Sequence, residues 1–304
     1  WQSIYALQKR YSFVRCVVYT GDVVKPEAIL SKVQDRFKIP LRDNINFVYL
    51  KWRGCVEAKA WPRFTILGQS VGSLVLGLEA LLQLAPHVYM DTTGYAFTLP
   101  LFRWLGGCKT ASYVHYPTVS SDMLQLVGRQ VPSFNNSSAV SRSPILTRVK
   151  LWYYRLFALL YGFMGRRSDV VMVNSSWTHR HILSLWSPAR LFIVYPPCDT
   201  SSFERLPLKR LTQTFRIISV SQFRPEKNHR SQLRILAELV KVVAPQRVKL
   251  VLVGSCRNME DEGRVEDLRH LAEELHVSDH VEFKVNISFD KLRQELSQAA
   301  AALH

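Results

Sequence analysis

The sequence predicts an α/β fold with two parallel-sheet domains, and three observations carry that prediction. Short runs rich in β-branched residues alternate with longer stretches of helical periodicity, the pattern of βαβ units. The alternation pauses at a polar, proline-containing link over 199–213 and then restarts, so the expected domains are 1–198 and 214–304, the second of them incomplete. With 304 residues, 47% of them hydrophobic, the chain is long enough to bury two cores.

Taken in order, the elements support this reading. WQSIYALQKRY places Ile4, Leu7 and Tyr11 on one face of a helix. Strands are expected at FVRCVVYT (13–20), INFVYL (45–50), VYMDT (88–92), ASYVHYP (111–117), DVVMVNS (169–175) and LFIVYPP (191–197). After the link, FRIISVS, VKLVLVG (248–254) and VEFKV (281–285) begin a second sheet. Between its strands Val265, Leu268, Leu271 and Leu275 repeat at helical spacing, with Glu266, Asp267, Arg269, Glu273 and Glu274 on the solvent face. The final AAALH reads as an unfinished strand, and no Met opens the chain, so a piece lacking both ends is expected.

Two apolar stretches are long enough to concern a membrane. FTILGQSVGSLVLGLEALLQL (64–84) is interrupted by Gln69, Ser70, Ser73 and Glu79 and reads as a buried core helix, with Gly68 and Gly72 permitting close packing on a sheet. TRVKLWYYRLFALLYGFMGRR (147–167) sets aromatics between Arg148, Lys150, Arg166 and Arg167, which suits an interfacial helix on a membrane surface with anionic headgroups. Membrane contact is expected of Trp152, Tyr153, Phe157 and Tyr161, although half of the aromatics fit a core equally well.

Forty Lys plus Arg against 24 Asp plus Glu leave a formal charge of +16, which favours an anionic partner. The charges are scattered through α/β elements and form no basic stripe, which argues against a nucleic acid partner. Cys16, Cys55, Cys108, Cys198 and Cys256 are dispersed and contain no CxxC, so neither a disulfide framework nor a zinc site is suggested and a reducing compartment fits. The sequons at Asn135, Asn136, Asn174 and Asn286 are accordingly read as unused.

The chemistry centres on SVSQFRPEKNH, where an apolar strand runs into a charged turn and a helix. In open parallel sheets, ligands gather at the carboxyl ends of the strands, where helix N-termini offer free N–H groups to anions. Arg224 and Lys227 can clamp a diphosphate there with a planar fork and a point charge. As a bare pattern, two solvated basic residues explain the turn as well.

SVSQFRPEKNH, VLVGSC, NSSWT and YPPCD appear in an order similar to the GT-B retaining glycosyltransferases of the glycogen-synthase-like group. More closely, MDTTGYAFTLPLF, SYVHYPTVSSDML, DVVMVNSSWT, YPPCD, FRPEKNH and CRNMEDEGRVEDLR resemble the α-1,2-mannosyltransferases that extend the dolichol-linked precursor of asparagine-linked glycosylation. The resemblance implies two Rossmann-like domains facing across a cleft, GDP-mannose as donor, and dolichol-diphosphate-linked Man(3)GlcNAc(2) as acceptor. It further implies two successive α-1,2 additions with retention, at the cytosolic face of the endoplasmic reticulum membrane, and contact with other early mannosyltransferases of the pathway. A GT-B enzyme with a soluble acceptor and a catalytically silent paralogue stand beside this reading.

Residue by residue, the resemblance places Lys227 on the donor diphosphate and His115 at the transferred sugar as the catalytic histidine. The family's glycine and arginine after the strand are here Ser221 and Gln222, and Arg224 is expected to supply the missing charge. Gln222, Gly254, Asn174 and Ser176 become candidate donor or acceptor contacts, although helix capping explains 174–176 about as well. Tyr195, Pro196, Pro197 and Asp199 suit a hinge, and the loop near Lys284 and Asn286 would lie near the nucleotide base, although a glycine often found there in the family is absent. There is no DxD, and the resemblance implies no metal; basic residues and helix dipoles would hold the diphosphate. A glycine-rich loop before Trp1 and paired glutamates after His304 are absent from the chain, so on this expectation residues 1–304 alone transfer no mannose.

Overall fold

The computed structural model describes residues 1–37, 39–41, 44–128, 143–198, 200–206, 214–243 and 248–304. Asn135, Asn136, Asp199 and positions 207–213 of the link lie outside the described residues. The chain divides into two compact units, Trp1–Pro197 and Cys198–His304.

The first unit opens with α1 (Gln2–Arg10), β1 (Cys16–Thr20), α2 (Pro26–Phe37) and β2 (Ile45–Tyr49). β1 and β2 pair in parallel, Cys16 opposite Ile45. Two 3-10 turns, Trp52–Val56 and Ala58–Ala60, lead to α3 (Thr65–Gln83). There follow β3 (Val88–Asp91), α4 (Thr98–Trp104), β4 (Lys109–Val114), α5 (Ser121–Gly128), α6 (Pro144–Gly165), β5 (Val170–Val173), α7 (Ser176–Trp186) and β6 (Leu191–Ile193). The last four strands form a parallel sheet in the order β3-β4-β5-β6.

α3 is long and apolar enough to cross a membrane by length and composition, and it packs on one side only. Gly68, Gly72, Ser73, Gly77 and Ala80 are its buried positions, while Val71, Val75, Leu78 and Leu82 are exposed. The expected packing of Gly68 and Gly72 on a sheet is corrected by their neighbours. A Cβ on Gly68 would stand 2.3 Å from the Trp61 ring, and one on Gly72 would stand 1.9 Å from the Cys55 carbonyl oxygen. The two glycines therefore admit the 3-10 segment, which Trp61 Nε1 closes by donating to Cys55 O at 2.7 Å.

α6 starts where Ser143 Oγ caps Leu146 N and Pro144 presets the first helical φ. Its inner face contributes Phe157 and Tyr161 to a core with Phe97, Leu99, Val171, Val173, Ile182 and Trp186.

The second unit contains α8 (Ser201–Glu204), β7 (Phe215–Val220), α9 (His229–Val242), β8 (Val248–Gly254), α10 (Met259–Glu274), β9 (Val281–Val285), α11 (Phe289–Gln298) and β10 (Ala301–Ala302). Its parallel sheet runs β10-β7-β8-β9. β8 is central, and Leu250, Val251, Leu252 and Val253 are all buried, because a parallel strand covered on both faces needs continuous apolar character. One side receives Leu233 and Leu236 of α9 and Val265, Leu268 and Leu271 of α10. The other receives Leu292 and Leu296 of α11. Leu233, Leu236, Leu268 and Leu271 are buried and contribute about 1.5–3 kcal/mol apiece, whereas Leu292 and Leu296 are only partly buried.

An ion network ties β7, β8, β9 and α11 together. Arg216 forks Glu282 at 3.1 and 3.2 Å and reaches Glu295 at 2.7 Å, while Lys249 and Lys284 lie 3.2 and 3.3 Å from Glu282. Burial raises the Glu282 carboxyl, but these cations outweigh it and hold the group down at about 2.

Candidate functional site

In the second unit Ser221, Gly254 and Asn286 follow or close β7, β8 and β9 at one edge of the sheet. Ser221 N donates to Val253 O at 2.9 Å and Asn286 N to Gly254 O at 2.9 Å, extending the ladder to that edge. A Cβ on Gly254 would stand 2.1 Å from the Ser221 carbonyl oxygen, so the glycine is required by the neighbouring strand end itself.

The charged turn hangs from this edge. Pro225–Lys227 form a 3-10 turn, Asn228 takes φ 48°, and α9 begins only at His229. This corrects the expected placement of Arg224 and Lys227 at the start of α9: the left-handed Asn228 separates them from the helix. Lys227 is half-buried rather than exposed, and its carbonyl accepts from Gln232 Nε2 at 3.4 Å. Arg224 Nη1 lies 3.6 Å from Glu226, and Arg224 Nε is buried without a hydrogen-bond partner among the described residues. Gln232, whose Nε2 reaches the Lys227 carbonyl, has its Oε1 likewise unpartnered, so spare hydrogen-bonding capacity lies beside the turn. Gln222 is exposed.

His229 was not singled out by sequence reasoning. It is 5% exposed, and its Nε2 lies 3.0 Å from the Ser221 hydroxyl. Burial lowers its pKa, and the Lys227 cation lowers it further.

Lys284 and Asn286 part company. The Lys284 ammonium turns into the ion network with Glu282 and Glu295. Asn286 Oδ1 accepts from Cys256 N at 2.9 Å, holding the loops after β8 and β9 together.

In the first unit the carboxyl ends of β3, β4 and β5 bring Asp91, His115 and Asn174 to one sheet edge. His115 is an exposed residue with its ring edge-on to Tyr113 at 4.8 Å, not a core histidine. The Thr178 hydroxyl lies 2.8 Å from Asn174 Oδ1, to which it donates, and 3.3 Å from the His115 carbonyl oxygen. Thr178 thus links the ends of β4 and β5. The cap of α7 is Ser175, whose Oγ accepts from Thr178 N at 3.1 Å, which leaves Ser176 exposed in the first turn. Beside them Tyr116 stacks on Trp177 at 5.0 Å.

Asp91 is a second residue that the sequence did not single out. Its Oδ1 accepts from Thr93 N at 3.0 Å, Thr93 Oγ1 at 2.8 Å and Gly94 N at 3.2 Å, folding DTTG into a tight turn. Burial nevertheless raises its pKa. The signal available was an Asp two and three residues before Thr and Gly at a strand end, a local turn pattern.

The expectation of lipid contact along α6 is corrected for two residues. Phe157 and Tyr161 are 2% and 1% exposed and pack in the core, and Tyr161 OH accepts from Thr118 N at 3.4 Å. Tyr153 is half-buried, with its hydroxyl accepting from Leu67 N at 3.3 Å. Trp152 remains 70% exposed.

Residues 1–186 match the family described as ALG11 mannosyltransferase N-terminus, and residues 203–304 match Glycosyl transferases group 1. The chain is 53% identical over its whole length to a Homo sapiens protein named GDP-Man:Man(3)GlcNAc(2)-PP-Dol alpha-1,2-mannosyltransferase, of which it covers 63%. It is 47% identical over its whole length to a Dictyostelium discoideum protein of the same name, of which it covers 62%. The chain therefore spans somewhat under two thirds of the length of these relatives. Among solved structures, a UDP-forming trehalose-phosphate synthase from Burkholderia xenovorans is similar at TM-score 0.63 and 11% identity, over 95% of this chain and 77% of that one. That likeness identifies the fold as GT-B, built from two α/β units with parallel sheets. With its family profile covering residues 1–186 and a 53% identical relative matched along the entire chain, the protein belongs to the ALG11 mannosyltransferase family.

Proposed function

We propose that the protein is a retaining α-1,2-mannosyltransferase that moves mannose from GDP-mannose to dolichol-diphosphate-linked Man(3)GlcNAc(2), twice in succession. The reaction is placed at the cytosolic face of the endoplasmic reticulum membrane, beside other early mannosyltransferases of the same pathway. The observation that supports this most is identity of 53% along the whole chain to a relative of that name.

In the proposed chemistry the bond from the mannose anomeric carbon to the donor phosphate breaks. A bond to the acceptor 2-hydroxyl oxygen forms, and GDP leaves with the acceptor's proton. Negative charge grows on the diphosphate as the anomeric bond stretches, so fixed cations aimed at it lower the barrier. Lys227 takes the role of point charge and Arg224, with its unpartnered Nε, that of planar fork. Gly254 and Gln222 stand at the same sheet edge as donor contacts. In the first unit the exposed imidazole of His115 orients the transferred sugar, while Asn174, whose Oδ1 is already engaged by Thr178, has its amide N–H groups for an acceptor hydroxyl. Ser176 is a further acceptor contact.

The test is a donor and acceptor panel with the full-length protein. Transfer of two mannoses from GDP-mannose to the lipid-linked acceptor, both removable by an α-1,2-specific mannosidase, is the expected result. Preference for a UDP-sugar or for a water-soluble acceptor would replace this reading with a different GT-B activity. GDP binding without any transfer would mark a silent paralogue.

A further inference from the structure

An apolar band runs the length of α6 on the side away from its core. Ile145, Val149, Trp152, Leu156, Leu159 and Phe163 are between 47 and 73% exposed. They follow one another at steps of four and three, so at about 100° per residue they stay within an arc of roughly 80°. Tyr154, Phe157 and Tyr161 occupy the opposite, buried side. Single exposed apolar residues are ordinary, but six in one continuous line mark a contact surface.

The band continues beyond the helix. The Trp104 ring at the end of α4 lies 6.4 Å from Phe163, and the next residue, Leu105, is 71% exposed. The Arg167 guanidinium sits over both rings, at 5.1 Å from Trp104 and 4.6 Å from Phe163.

Charge identifies the occupant. At the same helical pitch Arg148, Arg155 and Arg166 line one flank of the band, and no Asp or Glu occurs between Pro144 and Gly165. Arg155 and Arg166 also line a groove of about 590 Å³ whose apolar wall includes Leu124, Leu159, Phe163 and Leu185. An apolar strip bordered by a row of arginines and carrying exposed indoles matches a bilayer interface, where acyl chains meet anionic phosphates.

We propose that α6 lies flat on an anionic lipid surface, with Ile145, Val149, Trp152, Leu156, Leu159 and Phe163 among the acyl chains. Arg148, Arg155 and Arg166 then meet the headgroup phosphates, and Trp104 and Leu105 extend the contact. The identity of the surface rests on the proposed lipid-linked acceptor, whereas the face that docks is set by the helix itself. It differs from the face that the aromatic pattern suggests, because Phe157 and Tyr161 point inward.

The experiment uses the full-length protein with vesicles of brominated phosphatidylcholine, with and without brominated phosphatidylserine. Bromines in the acyl region should quench Trp152, read as the difference between wild type and Trp152→Phe, and more strongly when phosphatidylserine is present. Replacing Arg148, Arg155 and Arg166 together by Gln should weaken vesicle binding by roughly ten- to a hundredfold. Leu156→Ser with Leu159→Ser should lower the quenching while the circular dichroism spectrum is kept, since both leucines are exposed. Vesicle-bound protein whose Trp152 is unquenched would show the band covered by another segment and overturn the proposal. Quenching indifferent to phosphatidylserine and to the arginines would overturn it too, as would a dimer that the two serine substitutions dissociate. Mannosyl transfer to a detergent-dispersed acceptor, measured in parallel, separates the readings: transfer without quenching removes the docking face alone, and quenching without transfer removes the activity alone.

Discussion

The Ser221 hydroxyl lies 3.0 Å from His229 Nε2, joining the end of β7 to the first residue of α9 across the RPEKN turn. Ser221 stands where the resembling family carries glycine, and its side chain gives the turn a brace that glycine cannot. The His229 ring is buried, and its pKa is lowered first by desolvation and then by the Lys227 cation. Its native pKa is lowered, so the unfolded chain binds the proton more readily. Stability from this group should be fully present above the ordinary value of 6.5 and lost as pH falls through the depressed native value. Denaturant titrations across that window should show the loss in wild type and a flatter profile in His229→Gln. Ser221→Ala should cost about 1–3 kcal/mol by stranding the ring nitrogen. Identical pH profiles for wild type and His229→Gln would contradict the account.

Arg224 carries the next prediction. If its planar fork replaces the family arginine missing at Gln222, Arg224→Lys in the full-length protein should lower kcat/KM for GDP-mannose by about tenfold or more. Adding Gln222→Arg to Arg224→Ala should restore part of the loss. Full activity of Arg224→Ala alone would show that the fork is not used.

The Glu282 network makes the second unit sensitive to acid. Glu282 is held at about 2 against an ordinary 4.5, so its contribution is present above 4.5 and lost as pH falls toward 2. Glu282→Gln should cost about 2 kcal/mol at neutral pH and flatten the acid limb of a urea titration. An unchanged acid limb would refute the network's role.

Gly254→Ala tests the strand edge. The added methyl would stand 2.1 Å from the Ser221 carbonyl oxygen, so either the strand ends or the turn must shift, at a cost of about 1–3 kcal/mol. A lower Tm together with a raised KM for GDP-mannose is expected. A variant with wild-type values of both would mean that the edge yields without strain.

The strands were legible because β-branched runs bounded by turn residues signal them locally: eight of the nine expected runs contain an observed strand, and the ninth, 111–117, overlaps β4, which starts two residues earlier at Lys109. The pair of 3-10 turns at Trp52–Ala60 was not legible, since Trp61 and the glycines of α3 shape it through tertiary contacts. α6 was legible as a helix but not in its orientation. Apolar residues surround it, so periodicity leaves the buried side open until the core that receives Phe157 and Tyr161 is known. At the candidate site Lys227, Arg224 and His115 could be named from motifs, whereas Asn228 in the left-handed region and the Ser221–His229 brace depend on how the chain closes.

Lys227 bears on the central claim most directly. The turn that carries it is braced at Ser221 and its carbonyl is held by Gln232, so trimming its side chain should leave the fold intact. Lys227→Ala in the full-length protein should lower kcat for mannosyl transfer by on the order of 10²-fold or more, with an unchanged circular dichroism spectrum and melting temperature. Near-wild-type turnover by that variant would contradict the assignment and return the RPEKN turn to ordinary surface.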